Sequence, residues 1–264
     1  MSSIRMFFVT VFFAVWTALM ATLAFFSHLL TLGVGDVSMW IARRLWVPPV
    51  LWFAGIDLDT RGSERLSPDQ AYVAVANHQS VIDIMAMFIA LPNVPIRFIA
   101  KQVLFYIPVF GWYLWLTGYI SVNRSNRRKA FKSLDRAAKR INKRRSTVVV
   151  FAEGTRTPDG EIKRFKKGAF VLALRARAPV VPIAIAGAYA VMNRHRWRVA
   201  PGTIHVRVLE PIETKDTEYE ERNELIRQTH TAIANRVDEL RQEFGIQDDA
   251  DTAPTSTGAA PVVT

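Results

Sequence analysis

A histidine and an aspartate stand five residues apart in the segment Asn77–Asp83, whose sequence is NHQSVID. Five residues turn about 140° around an ideal helix, so the two side chains would not share a face if both were helical. If His78 lies in a turn and Ser80 caps the following helix, Asp83 can bind one imidazole nitrogen and leave the other as a general base. The alternative is a capping box of Ser80 and Asp83 beside a packed histidine.

A second group of reactive residues, Glu153-Gly154-Thr155-Arg156, directly follows the β-branched run Thr147–Phe151. Glycine lets the backbone approach a ligand, threonine donates a hydrogen bond, and arginine binds phosphate oxygens with two parallel donors. Basic residues follow closely and add positive potential, namely Lys163, Arg164, Lys166 and Lys167. The segment predicts an anion site, and the alternative is a plain turn in which Glu153 and Arg156 pair with each other.

These two motifs resemble the glycerolipid acyltransferase superfamily, which N-H-x-x-x-x-D and E-G-T-R define, and within it the 1-acyl-sn-glycerol-3-phosphate acyltransferases. Between Tyr72 and Glu213 three further blocks resemble that family in the right order: Phe98–Lys101 with Leu104, Pro108 and Gly111-Trp112; Gly118–Arg124; and Val181-Pro182-Ile183. Two positions depart from the pattern. Ala152 stands where many relatives have proline, and Ser121 replaces a bulky apolar residue.

The resemblance implies transfer of a fatty acyl group from acyl carrier protein or coenzyme A to the sn-2 hydroxyl of 1-acyl-sn-glycerol 3-phosphate. The product would be phosphatidic acid, an intermediate of phospholipid biosynthesis. His78, oriented by Asp83, would be the catalytic base, and no metal or cofactor would be needed. The implied substrate-binding residues are Glu153, Gly154, Thr155 and Arg156, with Lys101 and Arg124 as weaker candidates.

Two other functions stay open from the residues. The acceptor could be glycerol 3-phosphate, lyso-ornithine lipid or another lysophospholipid, because the motifs read phosphate and hydroxyl rather than a headgroup. A membrane-tethered protein that binds anionic lipid or nucleic acid without catalysis is the alternative from another class. The intact His78–Asp83 pair argues against it, and we expect no nucleic-acid partner. Phosphate-loop, zinc-protease, nucleophile-elbow and dinucleotide motifs are absent from the sequence.

The elements that must position these residues begin near residue 56, where short β-branched runs alternate with helical patterns. This alternation predicts an α/β domain with an open, largely parallel or mixed sheet flanked by helices. The predicted strands are Ile56–Arg61, Tyr72–Ala76, Arg97–Ala100, Tyr119–Val122, Thr147–Phe151, Val180–Ala186 and Thr203–Leu209. The predicted helices are Ser80–Ala90, Arg127–Asn142, Gly168–Ala176 and Thr217–Phe244.

The N-terminal part of the chain predicts a membrane anchor, because Met6–Gly35 contains no Asp, Glu, Lys or Arg. About 20 apolar residues suffice to cross a bilayer. The apolar region of a cleaved signal peptide has only about 7–15 residues, so this segment is too long for one and favours an anchor. A second apolar stretch, Val37–Ile56, contains Pro48-Pro49, which we expect to break any single helix. Spanning, re-entrant and flat-lying arrangements stay open. The predicted domains are an anchor at 1–55, an acyltransferase domain at 56–245 and a disordered tail at 246–264.

The charge of the chain is unevenly distributed. The net charge is +11, with +19 on residues 1–209 and −8 on residues 210–264. Eleven Lys and Arg lie between Arg124 and Arg145, against Asp135 alone. Such a surface predicts anionic partners: a membrane surface, a phosphorylated substrate or an acidic acyl carrier protein. The basic excess after the anchor predicts that the catalytic domain lies on the cytoplasmic face of the inner membrane.

The chain has no cysteine, which excludes thiolate nucleophiles and disulfide scaffolds.

Overall fold

A computed structural model describes residues 3–31, 36–122, 127–192 and 199–247. Within these residues, seven strands form one sheet in the order β1-β7-β6-β2-β5-β3-β4. Neighbouring strands are parallel except β6 and β7, which pair antiparallel. The strands are β1 (Ile56–Arg61), β2 (Val73–Ala76), β3 (Ile96–Lys101), β4 (Ile120–Val122), β5 (Thr147–Phe151), β6 (Val180–Ala186) and β7 (Gly202–Val208). The predicted open, largely parallel sheet is confirmed.

Helices cover both faces of this sheet. They are α1 (Ser3–Leu30), α2 (Val37–Ile41), α3 (Val47–Ala54), α4 (Ile82–Ala90), α5 (Phe110–Thr117), α6 (Arg127–Arg144), α7 (Gly168–Ala176), α8 (Ala188–Val191) and α9 (Arg222–Phe244). The central strand β2 is buried along its whole length because its alternate residues enter two cores. Ala74 and Ala76 pack on the side of α4, whereas Val73 and Val75 pack on the side of α7.

Helix α5 was not among the predicted helices. Its sequence, FGWYLWLT, is apolar on every side. A helix is recognised in a sequence by the alternation of an apolar and a polar face, and α5 has no polar face to reveal it. It is preceded by a short 3-10 helix at Gln102–Tyr106. Together these two elements fill the connection between β3 and β4.

The prediction that Pro48-Pro49 breaks the second apolar stretch is wrong. The chain stays helical from Val37 to Ala54, because a π-helical segment at Ala42–Trp46 joins α2 to α3. The prolines occupy the first turn of α3, where a missing N–H donor costs little. The wider π turn just before them absorbs the disturbed hydrogen-bond register, as such insertions do elsewhere.

Helix α1 is a candidate membrane anchor. Its segment Phe7–Leu30 is long and apolar enough to cross a membrane, by length and composition, and only 17% of its most apolar window is buried in the protein. The helix is nonetheless tied to the domain by two indole groups. Trp16 Nε1 donates to the Leu45 carbonyl at 3.0 Å, and Trp46 Nε1 donates to Thr17 Oγ1 at 3.0 Å. The anchor is therefore packed into the protein rather than attached by a loose tether.

Arg43 joins the anchor to the end of α4. Its guanidinium donates to four backbone carbonyls, those of Phe88, Leu91, Pro92 and Val94, at 2.5 to 3.1 Å. Carbonyls at a helix C-terminus lack partners within the helix and carry partial negative charge, so an arginine satisfies both needs. Because α4 also carries Asp83, this contact links the anchor to the predicted active site.

We expect Arg43→Met to destabilise the protein while Arg44→Met does not. Losing hydrogen bonds from a charged donor to half-buried carbonyls costs about 2–3 kcal/mol, which lowers Tm by roughly 5–10 °C in a domain of this size. Arg44 is exposed and serves as the matched control. Thermal unfolding of the full chain in detergent measures the difference. Equal melting temperatures for the two variants would show that the four contacts add nothing.

Candidate active site

The predicted site residues follow neighbouring parallel strands. His78 comes just after β2, Glu153–Arg156 just after β5, and Lys101 ends β3, and these strands lie side by side in the order β2-β5-β3. The carboxyl ends of parallel strands meet at one edge of a sheet, where α/β proteins form their ligand sites. The fold thus brings these motifs together. Arg124 lies outside the described residues.

His78 and Asp83 are in direct contact. His78 Nδ1 lies 2.8 Å from Asp83 Oδ2, and the Asp83 carboxylate is fully buried. The imidazole stacks on the Phe151 ring, with the centroids 4.0 Å apart and the planes 13° from parallel. One ring nitrogen is therefore committed to the carboxylate and the ring plane is held. The other nitrogen, Nε2, is left to act on a ligand.

The two interpretations of NHQSVID coexist in the structure. Asp83 Oδ2 also accepts the backbone N–H groups of Gln79 at 2.7 Å and Ser80 at 2.8 Å. The second of these bonds is one half of a capping box, since it runs from the helix start to a side chain in the first turn. Ser80 Oγ caps the N–H of Ile82 at 3.3 Å, and α4 begins there rather than at Ser80. The Asp83 carboxylate therefore both caps the start of α4 and binds the imidazole of His78.

Two buried polar side chains fix the backbone around His78. Asn77 bonds both the N–H and the carbonyl of Ile185 on β6, at 2.9 and 2.8 Å. Glu153 accepts the His78 N–H at 2.9 Å and the Lys163 N–H at 3.1 Å. Burial raises the pKa of Glu153, and these backbone donors oppose that rise. Each carboxylate oxygen thus accepts one backbone N–H, so Glu153 holds two loops together. Its contact with substrate stays a prediction.

The cationic part of the site surrounds Gly154. This glycine has φ +74°, and a Cβ built there would lie 2.6 Å from Lys166 Nζ. Thr155 is exposed and Arg156 half-buried beside it. Arg156 makes no ion pair with Glu153, so the alternative of a self-paired turn is wrong. Within the described residues no hydrogen bond or ion pair occupies the Arg156 guanidinium, which leaves it available to an anion.

A cavity of about 830 Å³ opens at these residues and continues between the anchor and the sheet. That volume is in the upper part of the range of ligand-binding cavities. One end is lined by polar groups from the motifs, namely His78, Lys101, Gly154, Thr155 and Arg156. The remainder is mostly apolar and includes Phe88, Phe98, Leu104, Phe110 and Leu114. A ligand with a polar head and a hydrocarbon chain matches this arrangement.

Helix α1 supplies one wall of the cavity, through Thr17, Met20, Ala21 and Ala24. These positions are spaced i, i+3, i+4 and i+7, which places them on one helix face. The sequence predicts this segment only as an anchor and does not indicate that it contributes to the cavity. No signal in the sequence marks this face, because small residues also stand at Thr10, Ala14, Ala18 and Thr22, which do not line the cavity.

Comparison with known proteins identifies the class first. The family model "Acyltransferase" matches residues 57–186, which contain both motifs, and the protein is an acyltransferase. A 1-acyl-sn-glycerol-3-phosphate acyltransferase of Cocos nucifera is 30% identical over 73% of this chain and 62% of its own length. The alpha form from Mus musculus is 33% identical over 81% of this chain and 74% of its own length.

A solved structure agrees with these relatives. The 1-acyl-sn-glycerophosphate (LPA) acyltransferase PlsC from Thermotoga maritima superposes with a TM-score of 0.76 at 26% identity, covering 91% of this chain and 98% of that one. The chain belongs to the 1-acyl-sn-glycerol-3-phosphate acyltransferase family. The resemblance inferred from five short blocks is thereby confirmed.

Proposed function

We propose that this protein transfers a fatty acyl group from a thioester to the sn-2 hydroxyl of 1-acyl-sn-glycerol 3-phosphate, with His78 as general base. The observation that carries the proposal is the 2.8 Å contact between His78 Nδ1 and the buried Asp83 carboxylate at the polar end of an apolar cavity. Relatives over most of the chain are named for this acceptor, which supports the choice.

The reaction begins with proton transfer to the histidine. His78 Nε2 takes the proton of the acceptor hydroxyl as its oxygen attacks the thioester carbonyl carbon. The C–S bond then breaks as the ester carbonyl reforms, and the departing sulfur receives the proton from the imidazolium. Asp83 stabilises the positive imidazolium between these steps without taking its proton. No covalent bond to the enzyme forms. Base catalysis of this kind contributes about 10²- to 10⁴-fold, and positioning supplies much of the rest.

The acceptor phosphate binds beside Gly154. Arg156 lines the cavity together with Lys101, and the Lys166 ammonium lies over Gly154. Arginine matches phosphate geometry with two parallel donors, whereas lysine acts as a compact charge. Thr155 is exposed at the same place and adds a hydroxyl donor. Arg124, on the segment after β4, stays a predicted contributor.

The apolar part of the cavity holds an acyl chain. Its walls come from the sheet, from α4 and α5, and from the face of α1 that carries Thr17, Ala21 and Ala24. A lipid acceptor reaches this cavity from a membrane, and the anchor keeps the domain there. We place the catalytic domain on the cytoplasmic face, because the basic excess follows the anchor. The anionic membrane surface and an acidic acyl carrier protein are both partners suited to that basic surface.

The test supplies the full chain in detergent with one acceptor and one donor at a time. The acceptors are lysophosphatidic acid, glycerol 3-phosphate, lyso-ornithine lipid and lysophosphatidylcholine, and the donors are acyl carrier protein and coenzyme A thioesters. We expect phosphatidic acid from the first acceptor at the highest kcat/KM. Transfer to lyso-ornithine lipid but not to lysophosphatidic acid would overturn the acceptor assignment while leaving the acyl transfer intact.

We expect Arg156→Ala to raise KM for lysophosphatidic acid by roughly 10- to 100-fold, because a charged hydrogen bond contributes about 1.5–3 kcal/mol. The KM for the acyl donor should change much less. Arg164→Ala is the matched control, since Arg164 lies eight residues further along the chain, is exposed and does not line the cavity. Arg156→Lys should recover part of the loss. An unchanged KM for the phosphorylated acceptor in Arg156→Ala would refute the phosphate role.

A further inference from the structure

The segment between β3 and β4 exposes large apolar side chains that no packing within the protein requires. We name as the aromatic patch the residues Val103, Tyr106, Ile107, Trp112 and Trp115, which are 45% to 72% exposed. They lie on the 3-10 helix at Gln102–Tyr106, on α5 and on the residues between them. A cluster of this size on a soluble surface marks an interaction site.

The surroundings of the patch identify its partner. Helix α5 packs against α1: Tyr113 contacts the Met20–Ala24–Ile41 cluster, and the Trp112 and Phe25 rings are 6.2 Å apart. Because α1 is the candidate membrane anchor, the outer side of α5 faces the same medium as the outer side of α1. Phe26 and Leu23 on α1 are exposed in the same way. The patch therefore continues the apolar surface of the anchor.

The charge and residue types of this segment agree with that medium. From Gln102 to Asn123 the sequence contains no Asp, Glu, Lys or Arg over 22 residues, and Lys101 and Arg124 flank it. Tryptophan and tyrosine are the residues enriched where a bilayer meets water. Helix α5 has 8 residues, whereas crossing a bilayer needs about 20. A short element with this composition lies in the interface and does not span.

We propose that the aromatic patch inserts into the lipid bilayer as a second membrane-binding element beside α1 and forms the rim through which lipid reaches the cavity. The opposite sides of the same elements, through Leu104, Phe110, Tyr113 and Leu114, line the cavity. The segment thus separates bilayer from acyl chain by the thickness of one short helix. The rim part of this inference rests on the proposed function, and the insertion part does not.

The absence of cysteine gives a clean test of insertion. Single cysteines at Tyr106, Trp112 and Trp115 of the full chain are labelled with a nitroxide, and the protein is reconstituted in phosphatidylethanolamine–phosphatidylglycerol vesicles. Collision with oxygen, which concentrates in the bilayer, is compared with collision with a water-soluble nickel chelate. Leu23→Cys on α1 is the membrane control, and Asn235→Cys on the exposed face of α9 is the aqueous control.

We expect the patch labels to behave like Leu23→Cys, with oxygen exceeding nickel collisions. Patch labels that match Asn235→Cys would overturn insertion. Spin–spin broadening between copies at the patch, abolished by dilution with unlabelled protein, would also overturn it, because a second copy would then cover the patch. These readouts need no activity, so they are independent of the proposed reaction.

The rim is tested by Trp112→Ser/Trp115→Ser, since neither tryptophan lines the cavity. We expect roughly tenfold weaker kcat/KM toward long-chain acceptor in vesicles, corresponding to about 1.4 kcal/mol. Activity toward a short-chain, water-soluble acceptor should stay unchanged. Equal losses with both acceptors would overturn the rim, and absence of activity with either acceptor in the unsubstituted protein would instead overturn the proposed function.

Discussion

We expect replacement of His78 by alanine to remove most of the acyl transfer while the protein remains folded. We expect kcat to fall by about 10²- to 10⁴-fold, which is the usual contribution of a positioned general base. Of the described residues that line the cavity, His78 alone is a histidine, and its Nδ1 is held by Asp83. The KM for both substrates should change little, since the imidazole acts on the transition state rather than on bound ground states.

The matched control for this variant is His230→Ala. His230 packs edge-on against Phe165, away from the cavity, with ring centroids 4.8 Å apart. Both variants lose one ring contact with a phenylalanine, which is stacked for His78 and edge-on for His230. Because His78→Ala also removes one partner of the buried Asp83 carboxylate, we expect its melting temperature in detergent to fall further than that of His230→Ala. Activity is compared at a temperature where both variants are folded, and only His78→Ala should lose it. Undiminished acyl transfer in His78→Ala would overturn the mechanism.

Asp83→Asn is the second variant with a large expected effect, and it should lower both activity and stability. The carboxylate is fully buried and its Oδ2 accepts from His78, Gln79 and Ser80. An amide has one oxygen and two N–H donors, so it cannot keep the charge that stabilises the imidazolium and holds its tautomer. We expect kcat to fall by roughly 10³- to 10⁴-fold. The lost charged hydrogen bonds cost about 2–4 kcal/mol of unfolding free energy.

The measurement must separate positioning from simple unfolding. Nitrogen-15 chemical shifts of His78 report which ring nitrogen carries the proton, and we expect that assignment to change in Asp83→Asn at temperatures where the protein is still folded. Asp57→Asn, an exposed carboxylate on β1, is the control for stability and activity. If Asp83→Asn keeps the original tautomer and full kcat, the carboxylate serves only to cap α4.

The sequence predicted those parts of the site that depend on local pattern. The apolar runs at Tyr72–Ala76 and Thr147–Phe151 predict strands, and polar residues just after such strands predict a site at their carboxyl ends. The role of Glu153 could not be predicted this way. An acid in a motif looks the same whether it binds substrate or backbone, and here its partners are the N–H groups of His78 and Lys163. The contact between the Lys163 N–H and Glu153 forms only because the loop that carries Lys163 folds back to Glu153, which no local pattern predicts.

Two features of the fold escaped sequence patterns for physical reasons. Helix α5 is apolar on all sides, so its sequence lacks the alternation of apolar and polar faces by which a helix is recognised. The helix from Val37 to Ala54 continues through Pro48-Pro49 because a π turn precedes them, and no single residue signals such a turn. The walls of the cavity include residues of α1, of α5 and of the helix from Val37 to Ala54. The cavity could therefore not be predicted without knowing how these helices pack together.

The wall that α1 contributes has a consequence for how this enzyme can be engineered. Thr17, Ala21 and Ala24 face the cavity from within the segment that is long and apolar enough to cross a membrane. Deleting the anchor to obtain a soluble catalytic fragment would remove one side of the cavity and expose the rest to water. Exchanging it for a hydrophobic helix with large side chains at these three positions would reduce the volume of the cavity. Under the proposed function, fatty-acid selectivity and membrane attachment are therefore properties of the same helix and cannot be altered separately.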